Sequence, residues 1–75
     1  MRDPKRIKKF LDRLGSLWEL VSDWRFGQLV NNLQNYLDDD LFYLEEDQFL
    51  LKLWEMLMDE ADEAPDWLNE VEHNE

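Results

Sequence analysis

The sequence predicts a small all-α domain: three helices over residues 1–60, followed by an acidic, partly disordered tail over 61–75. Three observations carry this. Apolar residues recur at helical spacing in three separate segments, and none of these segments alternates as a strand would. Seventy-five residues make one domain with one modest core. There is no cysteine, so no disulfide or thiolate metal site can staple it. Four Trp, four Phe and two Tyr are the expected substitute, because each ring buries a large area.

The first helix opens at Asp3, a suitable N-cap, with Pro4 at the first helical position. Ile7, Phe10, Leu11, Leu14, Leu17, Trp18 and Val21 fall within an arc of about 120° and form its core stripe. Gly15 lies off that stripe and weakens the helix by about 1 kcal/mol relative to Ala. Ser22 or Asp23 is the expected cap of the second helix, whose stripe is Phe26, Leu29, Val30, Leu33, Tyr36 and Leu37. Asp38-Asp39-Asp40 ends it, and Leu41 to Leu44 reads as an irregular or turn-like apolar bridge.

Asp47 is the expected cap of the third helix, running from Gln48 to about Glu60. Phe49, Leu50, Leu51, Leu53, Trp54, Met56, Leu57 and Met58 spread over more than about 200° of its circumference. Such a helix is either central or packed against a second copy through Leu51, Trp54 and Met58. From Asp59 onward there is no Lys or Arg, and only Trp67, Leu68 and Val71 stand out as large apolar residues. Low hydrophobicity with one charge sign argues for partial disorder. Truncation after Glu60 is therefore expected to be harmless.

Charge is unevenly placed. Arg2, Lys5, Arg6, Lys8, Lys9 and Arg13 face only Asp3 and Asp12 in the first thirteen residues, whereas Arg25 and Lys52 face seventeen acids in the rest. The net charge of -11 opposes nucleic-acid phosphate and anionic membrane. No apolar run reaches the roughly 20 residues of a membrane span, and no signal peptide is visible, so a cytoplasmic protein is expected. Lys5, Arg6, Lys8 and Lys9 form a secondary basic patch. It balances acids within the fold or between copies, meets an acidic protein partner, or touches nucleic-acid phosphate, a contact that the acidic remainder opposes.

No catalytic set is apparent. With one His and no Cys, nucleophilic catalysis lacks machinery, and no phosphate-cradling glycine motif is present. A calcium loop starting at Asp38 fails, because Phe42 and Tyr43 occupy a ligand and the required glycine position; Asp38 and Asp40 allow only loose cation binding. Glu70-x-x-His73 has the spacing of one arm of a di-iron site but no second arm. No enzyme, cofactor or metal is expected.

One face stands out. Opposite the second stripe lie Gln28, Asn31, Asn32, Gln34 and Asn35, in a chain that is 36% charged. Trp24 falls in line with Gln28, Asn31 and Asn35 at spacings of four, three and four. Interface centres are depleted of charge and enriched in Trp. Trp24, Gln28, Asn31 and Asn35 are thus the expected partner-binding residues, with Trp67 and Leu68 of the tail a further candidate.

Three stretches carry a resemblance: Arg2-Asp3-Pro4-Lys5-Arg6-Ile7; Asp23-Trp24-Arg25-Phe26-Gly27-Gln28-Leu29-Val30 with Asn32-Leu33; and Phe42-Tyr43-Leu44-Glu45-Glu46-Asp47. Together they resemble a group of short uncharacterised bacterial and phage helical proteins, and are similar in pattern to the YihD-like family of unknown function. The chain has Ser22 and Trp24 where that plan has Pro and Leu. The resemblance spans about residues 2 to 57 and implies a small helical fold without an activity. The expected function is a protein-interaction module, an adaptor or regulator. The alternative is an acidic nucleic-acid mimic that inhibits a DNA-binding or defence enzyme.

Overall fold

A computed structural model describes residues 3–38, 40–41 and 44–72. Arg2, Asp39, Phe42, Tyr43 and His73, to which the sequence assigned roles, lie outside the described residues. The fold is all-α: α1 (Lys5–Trp18), α2 (Phe26–Leu37), α3 (Glu46–Leu57) and a short α4 (Leu68–Glu72). Among the described residues there is no strand.

Local chemistry sets the helix starts. Asp3 Oδ1 accepts from the Lys5 amide at 2.9 Å, and Pro4 sits at φ -62, so the capping read from Asp3-Pro4 holds. The expected cap of α2 at Ser22 or Asp23 is corrected to Arg25. A 3₁₀ turn at Glu19–Val21 keeps Ser22 helical at φ -61, ψ -18, and Arg25 is the extended residue before the helix. The Gln28 side chain, three positions on, accepts from the Arg25 amide at 2.8 Å. Similarly α3 begins at Glu46 rather than Gln48. Glu45 is its extended N-cap, Gln48 Oε1 accepts from the Glu45 amide at 3.2 Å, and Asp47 lies inside the first turn, where the helix dipole favours its charge. A 3₁₀ turn at Met58–Glu60 completes that segment where the sequence ended it.

The core is eight leucines and one valine: Leu14 and Leu17 from α1, Leu29 and Leu33 from α2, Leu50, Leu53 and Leu57 from α3, and Leu68 and Val71 from α4. Helix α3 packs against α1, α2 and α4, which accounts for its wide apolar arc; Leu51 and Trp54 lean on the core, while Met58 is exposed. The aromatic residues do not form the core, as expected of them, but roof it. Phe10, Trp18, Trp24, Phe49, Trp54 and Trp67 are partly buried around the leucines. The molecule is only 21 Å across its shortest dimension, about two helix diameters, so few positions can enclose a whole ring.

Two details go beyond the sequence reading. Residues 61–72, the described part of the acidic tail, dock on the body. Leu68 and Val71 are 9% and 2% exposed, and α4 packs on α3. And α1 is turned on its axis. Its buried residues, Arg13, Leu14 and Leu17, centre about 50° from the middle of the stripe read from sequence. The turn brings Arg13 against the tail and leaves Ile7 and Leu11 48% and 55% exposed. Phe26 and Tyr36, assigned to the α2 stripe, are likewise half exposed, at 50% and 52%.

Truncation after Glu60 should therefore abolish most of the folded population, not spare it. Loss of buried Leu68 and Val71 costs on the order of 2–5 kcal/mol for the leucine alone, in a domain with about 5 kcal/mol to lose; helical circular dichroism of the truncated chain measures it. A small gain is expected at the other end of α2. Asp38 ends that helix at φ 55, a left-handed conformation that favours glycine, and adds charge of the wrong sign at a helix C-terminus. Asp38→Gly should raise stability by about 1 kcal/mol in urea denaturation.

Candidate partner-binding surface

The structure separates the residues that the sequence grouped. Gln28, Asn31 and Asn35 are exposed on α2, as read. Trp24 is not among them. It precedes the helix, is half-buried and packs against the leucine core, while its carbonyl accepts from Trp18 Nε1 at 2.8 Å. That bond and the Trp18–Phe26 ring contact, 5.5 Å between centroids, tie the end of α1 to the start of α2. Trp24 lies half-buried against the core just after the turn at Glu19–Val21, its amide donating to the Val21 carbonyl at 2.9 Å.

Tyr36 is an exposed ring beside these amides. Helical spacing sets Gln28, Asn32 and Tyr36 in one row, at four-residue steps, beside a second row of Asn31 and Asn35. Phe26–Leu37 contains no charged residue. Gln28 spends its oxygen on the Arg25 amide, and Gln34 accepts from the Leu41 amide at 3.3 Å, holding the chain that leaves the helix. Asn31, Asn35 and the Tyr36 ring face solvent. A signal for Tyr36 was present in the sequence. It occupies the extreme edge of the α2 arc, where an amphipathic ring can leave the core with little loss.

The basic residues of α1 divide into two sets. Arg6 pairs with Glu46, Lys9 with Glu70 at 3.7 Å, and Arg13 with Glu70 at 3.0 Å. These pairs line a cleft of about 430 Å³ between α1, α3 and α4, floored by Phe10 and Leu50. Arg6, Lys9 and Arg13 face Glu45, Glu46, Asp47 and Glu70 across it, so this part of the patch clamps helices together. Lys5 and Lys8 are exposed and, among the described residues, in no ion pair.

Arg13 is the residue that sequence reading missed. It is 9% exposed, its guanidinium lies 5.5 Å from the Trp67 ring centroid, and Ser16, one turn on, accepts from Trp67 Nε1 at 3.3 Å while donating to the Arg13 carbonyl at 2.7 Å. Trp67 and Leu68, candidates for reaching a partner, are thereby committed to the fold. Among the described residues no group of three or more His, Asp or Glu is placed to hold a metal ion, and no helix is long and apolar enough to cross a membrane.

Comparison with protein-family models, curated proteins and solved structures returns no match for this chain.

Arg13→Ala should cost about 2 kcal/mol, from lost packing against Trp67 and the lost ion pair with Glu70. Arg13→Lys should recover only part, since lysine lacks the flat group that covers the ring. Lys5→Ala should stay within about 0.5 kcal/mol. Urea denaturation of the three variants measures this, and equal losses for Arg13→Ala and Lys5→Ala would show that Arg13 does not pin α4.

Proposed function

We propose that this chain is a non-enzymatic protein-interaction module of the cytoplasm, an adaptor or regulator, that meets its partner through α2. The observation that carries the reading is Tyr36, 52% exposed, at the border of a helix without a single charge. A ring of this kind supplies a rigid anchor, and surrounding amides donate and accept hydrogen bonds without the desolvation cost of ions. Asn31 and Asn35, with Gln28 and Asn32, frame it. The chemistry suits a polar partner surface with a shallow apolar slot for the ring.

A photo-crosslinking residue at position 35, with one at position 62 as control, identifies the partner in native lysate. Tyr36→Ala should then weaken the recovered complex by about 2 kcal/mol, roughly thirtyfold, with less than about 1 kcal/mol lost in folding stability. Trp24→Ala should do the reverse, lowering stability before affinity. Unchanged affinity in Tyr36→Ala would remove α2 from the interface.

A second reading, an acidic nucleic-acid mimic inhibiting a DNA-binding or defence enzyme, rests on Asp59, Glu60, Asp62, Glu63 and Asp66. All five are exposed in a stretch without a base. Affinity that collapses steeply with salt and ignores Tyr36 would select it.

A further inference from the structure

The turn of α1 about its axis leaves a strip of half-exposed apolar surface along one side of the helix. Ile7, Leu11, Gly15 and Trp18 follow one another at spacings of four, four and three, so they share one side of the helix. Ile7 and Leu11 are half exposed, and the half-exposed Phe26 ring extends the strip from Trp18. Gly15 interrupts it. A Cβ at that position would meet nothing within 4 Å, and Gly15, Trp18, Glu19 and Ser22 line an open notch of about 280 Å³. Charge along the strip is polarised. Lys8, which is in no ion pair among the described residues, flanks it near one end, and Glu19 flanks it on the same side at the other.

That polarity is self-complementary under a two-fold axis. We propose that the strip is the seam of a weak homodimer, in which α1 of one copy packs antiparallel on α1 of a second copy. The register that seats Leu11 of each copy in the Gly15 notch of the other sets Lys8 opposite Trp18 and beside Glu19 of the second copy, an attraction to both the carboxylate and the ring face. Of the acidic side chains, Asp12 falls nearest the two-fold axis, about 100° around the helix from the centre of the strip, and its repulsion limits affinity. Three turns of helix with the Trp18 and Phe26 rings at one end cover less than the ≈ 800 Å² per partner typical of stable complexes, so the dimer forms by mass action at high concentration. The seam is a face separate from the α2 amides, so either can fail alone.

Sedimentation equilibrium of the full chain tests this, between about 10 μM and about 1 mM in about 0.3 M salt, where the -11 of each copy is largely screened. The average mass should climb toward twice the monomer. Gly15→Gln fills the notch with a better helix former, so it should raise thermal stability and weaken association at least tenfold, a combination that damage to the fold cannot produce. Leu11→Lys should stay monomeric with its helical signal intact, and Asp12→Asn should associate more tightly than the parent. Lys8→Glu and Glu19→Lys should each associate poorly alone and well when mixed. A mass that stays monomeric throughout overturns the proposal. So does association that survives Leu11→Lys and Gly15→Gln, which would place the contact on another face such as Leu51 and Met58 of α3.

Discussion

The row Leu50, Leu53 and Leu57 on α3 must be shielded from water on three sides, and every other helix is placed by that demand. These three side chains are almost fully enclosed, although the molecule is barely two helices thick. Each fully buried leucine is worth about 1.5–3 kcal/mol, so one open side forfeits much of what such a small domain has. Helices α1 and α2 cover two sides; the third is closed by Leu68 and Val71. The partly buried rings then roof the gaps, as in the edge-to-face contact of Phe10 on α1 with Phe49 on α3, 5.7 Å between centroids.

This constraint explains why the acidic segment folds back. Repulsion among exposed carboxylates amounts to fractions of a kcal/mol per pair, less than two buried aliphatic side chains return. Glu70 further offsets it by forming ion pairs with Arg13 and Lys9. Composition over residues 59–75 spoke for disorder because it averages over the segment, whereas docking turns on Leu68 and Val71, three positions apart on a single helical turn. The lone burying cation of α1, Arg13, was legible only as one of six bases.

Where local chemistry determines structure, the sequence was readable. Asp3-Pro4 marked the start of α1, Asp38 the end of α2, and the over-wide arc of α3 its central place. Where tertiary contact determines structure, it was not. Periodicity locates a stripe but not which of its edges meets a neighbour, so Ile7 and Leu11 were misplaced with Arg13. The site suffered the same exchange. Trp24 and Tyr36 both border α2, and only the inward turn after Val21 shows which ring is spent on the fold and which faces solvent. The uncharged amides, Asn31 and Asn35, were legible because their position on a helix face depends on spacing alone.

The make-up of the core has a consequence for uniqueness as distinct from stability. Side chains of one shape, leucine in eight of nine core places, can interdigitate in several nearly equal ways, since nothing in their outlines distinguishes one layer from the next. Directional groups at the rim break this degeneracy: Trp18 donating to the Trp24 carbonyl, Trp67 donating to Ser16, and Arg13 paired with the Glu70 carboxylate. Stripped of those donors, the chain would keep its helices and its compactness yet exchange among packings, with near-ultraviolet dichroism fading while the far-ultraviolet signal persists. Its polar fringe thus acts as the key that selects one arrangement from a leucine core compatible with many.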